Sequence, residues 1–192
     1  MQKLLELMQT ARGLPENWGA TRAEHDRWYP ADHLLAGRVR RLTRAVTARA
    51  PAAMVYRWLC QVAVAPCSYD WIDNLGRRSP QQLTPGAEHL EPGQEVMVFG
   101  LVDVAPGHSF TGRGLPRAER LFGRLAATYA VEPIDEHNSR LICRLTIAEP
   151  TGLERLRAVA LAWGDIVMMR KQLLNLARLA ERDAATVGAL GG

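Results

Sequence analysis

The chain has 192 residues, 47% of them hydrophobic and 23% charged, with a formal net charge of +4. That length suits one domain with an extension, and a chain of this size buries roughly 70% of its unfolded surface, enough for a sizeable core or an internal cavity. The positive charge is nearly all arginine, with Lys3 and Lys171 the two lysines, and it is scattered along the chain, which argues against a nucleic-acid surface.

In chain order, residues 1–12 predict an amphipathic helix with Met1, Leu4, Leu5, Met8 and Ala11 on one side. Lys3 and Glu6 interrupt its apolar residues, so it does not read as a signal peptide. Residues 13–37 are irregular and read as an extended arm, anchored on the domain by Trp18 and Trp28. Residues 38–49 are strand-like. A helix then begins at Ala50-Pro51, with proline near its first turn, and ends before Pro66. Ser68 caps a short aromatic and acidic helical turn that Gly76 ends. A loop rich in proline and glycine spans residues 79–93.

Strands follow. Residues 95–104 are apolar on both faces, as in a strand covered on both sides. Residues 108–111 read as a short strand and 112–120 as a basic loop. Leu125, Ala127, Tyr129 and Val131 alternate with polar neighbours, residues 135–139 form a hairpin turn, and Leu141, Cys143, Leu145 and Ile147 alternate again. Residues 151–183 predict one long helix. Its apolar stripe is Val159, Ala162, Ile166, Met169, Leu173, Leu176 and Ala180, with Glu154, Arg157, Lys171, Asn175, Arg178 and Arg182 opposite. Leu161, Gly164 and Met168 break the polar face. Either the amphipathic start of the chain or a second copy would cover that apolar island, and the arm is the more economical cover. Residues 184–192 read as a frayed tail.

Several chemistries are excluded. His25, His33, His89, His108 and His137 show no metal-binding spacing, so no metal site is expected. No nucleophile motif and no phosphate loop is present, and no cofactor is implied. No run approaches the ~18 apolar residues of a membrane span. Cys60, Cys67 and Cys143 give neither an even framework nor a CxxC, which fits a reducing, cytoplasmic compartment.

The order of elements gives an α+β domain over residues 38–183, and three stretches add a resemblance. RLTRAVTARAPAAMVYRWLCQ, with Ala50-Pro51 and Trp58-Leu59, resembles the opening of the START/Bet v 1-like superfamily (SRPBCC, polyketide cyclase-like), although Met54 departs from the usual acidic pattern. SYDWIDNLGRRSP and GDIVMMRKQLLNLARLAE are similar to a bacterial subgroup of it. The resemblance implies a helix-grip fold, in which a curved antiparallel sheet wraps a long C-terminal helix over a hydrophobic cavity. That fold ordinarily has seven strands, more than the pattern yields. The missing strand lies in residues 82–90, or a short loop at Val102 divides two strands read as one. The resemblance further implies a small hydrophobic ligand that is lipid-, quinone- or polyketide-like.

Candidate cavity walls are Val98, Phe99, Phe110, Tyr129, Ile166 and Met169, with Trp163 and Leu173 beside them; each reads equally as plain core. Met168 and Met169 bring adaptable side chains. Polar candidates are Tyr69, Asp73, Asn74, Arg113 and Arg170, with Trp71 on the same short helix as Tyr69. Arg170 either meets a ligand acid or forms a buried pair with Asp73, the favoured reading, and Asp165 is ambiguous in the same way. Three functions compete. The first is a binding module. The second is a cyclase or aromatase with Tyr69, Asp73 and His108 as acid–base groups. The third is an interaction protein with a vestigial cavity. A monomer and a homodimer are equally compatible with the sequence.

Overall fold

In a computed structural model, which describes residues 13–69, 78–149 and 154–190, seven strands find one another in a single sheet. They are β1 (Asn17–Trp18), β2 (Val39–Ala48), β3 (Glu95–Val96), β4 (Phe99–Ala105), β5 (Ser109–Gly114), β6 (Leu125–Pro133) and β7 (Ser139–Ala148). Their order in space is β1-β2-β7-β6-β5-β4-β3. All neighbours are antiparallel except β1, which runs parallel to β2. The helices are α1 (Arg22–Asp26), α2 (Pro30–His33), α3 (Ala52–Cys60), α4 (Pro116–Phe122) and α5 (Glu154–Leu190). The curved sheet grips α5, and the fold is the α+β helix-grip arrangement.

The two clean alternations become β6 and β7, each with its apolar set turned toward α5 and α3. β2 closes that side of the sheet through a register running from Val39 opposite Ala148 to Ala48 opposite Ser139. Pro51 sits at the N-cap of α3, which buries Val55, Trp58 and Leu59. The C-terminal half of α5 packs on α3 and β2 through Leu173, Leu176, Leu179 and Ala180, all fully buried. Each such leucine contributes about 1.5–3 kcal/mol. Trp58 Nε1 donates to Asp183 Oδ2 at 3.0 Å and ties the two helices together.

The arm has structure of its own. Thr21 forms a capping box with Glu24 to start α1. Residues 20–37 then lie on the sheet face turned away from α5, where Tyr29 packs on Ala45 and Ile142, and Ala31 and Leu35 pack on Ala126, whereas Trp18 packs on the main core. Arg144, which alternation alone would leave in solvent, is fully buried beneath the arm. It donates to the carbonyls of His25 at 2.5 Å and Arg27 at 3.1 Å, and stands over the Tyr29 ring. Asp32 anchors the same layer, accepting from Thr146 Oγ1 at 2.6 Å and from the Tyr29 amide at 3.0 Å.

Several sequence expectations are corrected. Two strands add to the five of the sequence pattern: β1 in the arm, and a second from residues 95–104. Those residues are two strands read as one, but they divide at Met97, whose φ of 55° breaks the extended run into β3 and β4, and not at Val102; residues 82–90 form no strand. A bulge falls between Leu101 and Asp103 instead of a loop. The basic loop over 112–120 contains α4, with Pro116 at its first turn and Gly123, at φ 79°, ending it. The stretch read as a frayed tail continues α5 to Leu190, because no proline interrupts it. Of residues 13–37, Trp18 meets α5 at Arg170 and not at Leu161, Gly164 or Met168, which line the cavity; residues 1–12, the other part of that expectation, lie outside the described residues. Val159, placed in the buried stripe, is exposed.

Candidate functional site

Between the sheet and the N-terminal half of α5 lies a cavity of about 720 Å³, within the range of ~300–1,000 Å³ usual for small-molecule sites. The sheet supplies Phe99, Leu125, Ala127, Tyr129, Cys143 and Leu145, and the turn between β3 and β4 adds Met97 and Val98. Helix α5 supplies Ala160, Leu161, Gly164, Asp165, Met168, Met169 and Gln172. Pro66 and Ser68 close one end, and Leu121 and Phe122 of α4 lie at the other. Leu121 is 70% exposed and Phe122 41% exposed. With Ala160 and Gly164, also exposed, they mark the opening among the described residues. The apolar island of the sequence is therefore a wall of the cavity and needs no cover.

This cavity exists because small residues stand where large ones would fill it. Ala127 and Ala160 place a single methyl each on opposite walls. Gly164 places nothing, and a Cβ added there would meet no atom of the described residues within 4 Å beyond its own helix backbone. A glycine inside a helix costs roughly 1 kcal/mol against alanine, so the open space is kept at some expense of stability.

The polar groups are few. Tyr129 donates its hydroxyl to Gln172 Oε1 at 3.1 Å, and Gln172 Nε2 donates to the Pro66 carbonyl at 2.5 Å. These bonds join β6, α5 and the segment after α3, and they use the groups on one another. Burial holds the Tyr129 hydroxyl well above its ordinary pKa and pushes the Cys143 thiol up as well, with the Asp165 charge adding to both. Asp165 is different. Its side chain is 9% exposed and lines the cavity, and its Oδ2 stands 2.8 Å from Nη2 of the fully buried Arg44. That contact is close but off hydrogen-bond alignment, and Oδ2 accepts no hydrogen bond. Arg44 Nη1 donates to the carbonyls of Glu16 at 2.9 Å and Thr43 at 3.1 Å, Nη2 donates to that of Ala162 at 3.4 Å, and Nε has no hydrogen-bond partner among the described residues. Burial pushes the Asp165 carboxyl up from 3.8 to about 6, against the downward pull of Arg44.

Of the residues singled out in the sequence, Val98, Phe99, Tyr129, Met168 and Met169 line the cavity. Phe110 sits behind it, stacked on Tyr129 with ring centroids 5.2 Å apart. Ile166 and Leu173 are buried but belong to packed core, and Trp163 is 50% exposed on the outer side of α5. Arg113 is on the surface beside Glu119 at 3.5 Å. His108 is exposed in the turn between β4 and β5, away from the cavity. Tyr69 is not among the residues that line the cavity. Trp71, Asp73 and Asn74 lie outside the described residues. Arg170 is not buried: it is exposed and lies over the Trp18 ring at 5.8 Å. The sequence reading missed Gln172, Cys143 and Arg44, and left Asp165 undecided. A lone acid between Gly164 and Ile166, in the apolar middle of the helix, was the available signal.

Among the described residues no group of acids, histidines and cysteines is arranged to hold a metal, and no helix is long and apolar enough to cross a membrane. No family model matches the chain, and no curated protein is similar to it in sequence. Solved structures are similar in fold. A protein from Thermobifida fusca, solved in solution, shares 18% identity over 74% of this chain and 93% of its own, with a TM-score of 0.51. The Zhui aromatase/cyclase from Streptomyces sp. R1128 shares 18% over 76% and 95%, with a TM-score of 0.47. The di-domain ARO/CYC StfQ of the steffimycin biosynthetic pathway shares 15% over 79% and 52%, with a TM-score of 0.46. At these identities the likeness is one of fold, the fold that the sequence resemblance implied.

Proposed function

We propose that the protein binds one small, largely apolar or amphipathic molecule in the cavity between the sheet and α5, in a reducing compartment. One observation carries this reading: a cavity of about 720 Å³ with nearly all-apolar walls, open between α4 and α5. Filling such a space with side chains would raise stability, and the small residues at Ala127, Ala160 and Gly164 forgo that gain. Binding without chemistry is favoured because, among the described residues, the Tyr129 hydroxyl is spent on Gln172 and His108 lies away from the cavity. Native mass spectrometry of the full chain purified from its own source tests the reading. The expected result is a retained molecule at one per chain, released on denaturation. Protein that carries nothing, and that takes up no apolar molecule offered to it, overturns the reading.

A second reading, cyclase or aromatase chemistry, has one observation in its favour: Asp165, a carboxyl with a pKa near neutrality on the cavity wall. The retained molecule separates the two readings. A substrate converted on prolonged incubation supports catalysis, whereas one recovered unchanged supports binding.

A further inference from the structure

Resting on the binding reading, we infer that the ligand presents a neutral hydroxyl, an alcohol or a phenol, to the carboxylate of Asp165. Among the described residues the cavity's other polar side chains are already committed: Ser68 Oγ accepts from the Tyr69 amide at 2.6 Å and donates to Met168 Sδ at 3.8 Å. Tyr129 donates to Gln172, and Gln172 donates to the Pro66 carbonyl. Asp165 is the buried acceptor left over: it lines the cavity and is 91% shielded, its Oδ2 is enclosed against Arg44, and its Oδ1 accepts no hydrogen bond from any described residue. An ionised carboxyl offers about four acceptor positions, and a buried one left short of donors is costly. The free capacity of this cavity is therefore for a donor.

Arg44 decides which donor. It stands 2.8 Å from Asp165 and is fully buried, so the pair is neutral as a whole. A protonated amine would bring a second positive charge into an apolar cavity whose one negative charge is already balanced. A ligand carboxylate or phosphate would meet Asp165 as a like charge. A hydroxyl supplies the missing donor without adding charge, and its bond to a carboxylate is of the stronger, charge-assisted kind. The raised pKa of Asp165 agrees with this: burial dominates there, and a donor would relieve it.

Three naphthalenes with one apolar body test the inference on the full chain by calorimetry at pH 7.5. They are 2-naphthol, a neutral donor; 2-methoxynaphthalene, an acceptor only; and 2-naphthylmethylamine, a cation. The expected result is that 2-naphthol binds at least about tenfold more tightly than either of the others, the size of one good bond to a charged group. In Asp165→Leu the preference should fall to near unity. Because that change strands Arg44, the double variant Arg44→Leu/Asp165→Leu is measured as well; it removes the pair together and should bind 2-naphthol and 2-methoxynaphthalene alike. Equal affinities in the native chain, or tightest binding of the amine, overturn the hydroxyl inference while leaving a binding protein. A 2-naphthol preference that survives in the double variant overturns it too. If none of the three binds, the binding reading itself fails, and the inference with it.

Discussion

The buried carboxylate makes a prediction whose sign runs against the usual behaviour of a salt-bridged acid. An aspartate stabilised by its arginine has a depressed pKa, and the fold loses stability as pH falls. Asp165 is raised, from 3.8 to about 6, because burial outweighs Arg44. Its native form therefore holds a proton more tightly than its unfolded form. Between about pH 4 and pH 6 the folded chain binds more protons than the unfolded chain, so the free energy of unfolding falls as pH rises through that window. A shift of this size is worth about 3 kcal/mol, at ~1.4 kcal/mol for each tenfold change in proton affinity. Asp165→Asn removes the titration while keeping the shape. Urea denaturation of both proteins from pH 4 to pH 8 at fixed ionic strength gives their difference, in which the remaining titratable groups cancel. Relative to the variant, the native chain should lose about 3 kcal/mol across the window and then level off. A difference that is flat with pH, or that grows in favour of the native chain as pH rises, refutes the reasoning and means that Arg44 outweighs burial.

Other outcomes follow from the same geometry. Leu173→Ala, in packed core, should cost about 2–5 kcal/mol in chemical denaturation, whereas Met168→Ala, which only enlarges an existing void, should cost less than about 1 kcal/mol. Arg170→Ala should stay within about 0.5 kcal/mol of the native chain, since the residue is exposed and contributes little more than a contact with Trp18. Asp32→Ala should cost about 3–5 kcal/mol and release the arm, seen as faster proteolysis within residues 13–37, because it strands the buried Arg144, whose Nη1 stands 4.0 Å from Asp32 Oδ2. Gly164→Ala should raise the free energy of unfolding, read by urea denaturation, by up to about 1 kcal/mol.

What could be read in the sequence was what periodicity writes directly. The alternations at 125–131 and 141–147, the helix after Pro51 and the long C-terminal helix each carry a repeat that one face of an element imposes, and each appears in the structure. Depth on the second face of the sheet was not legible. Arg144 alternates like a solvent residue, and nothing local says that Tyr29 and the carbonyls of α1 close over it. The split at Met97 depends on one backbone angle that the side chain does not advertise. For α4 the proline at its start and the glycine after its end were both visible, but its seven residues are too short for a periodic signal. The cavity was expected in the right layer, and Met169 of the helix stripe lines it, but the other large stripe residues named as walls do not. The large residues Ile166 and Leu173 turned out to be core, whereas Gly164, Ala160 and Ala127 make the space. Cavities are written in small residues, which look like tolerance in a sequence. Arg44 and Asp165 are far apart in the chain, and only the docking of α5 on β2 makes them a pair.

The central claim is that the space between sheet and helix is a ligand site. Its most direct test is fluorescence titration of the full chain with N-phenyl-1-naphthylamine, an uncharged apolar probe, in parallel with Gly164→Phe at the opening and Ala127→Phe on the sheet wall. The account predicts saturable enhancement at one probe per native chain, and a loss of at least about tenfold in affinity in each variant, with circular dichroism unchanged. No saturable binding to the native chain, or equal binding to both well-folded variants, would contradict it.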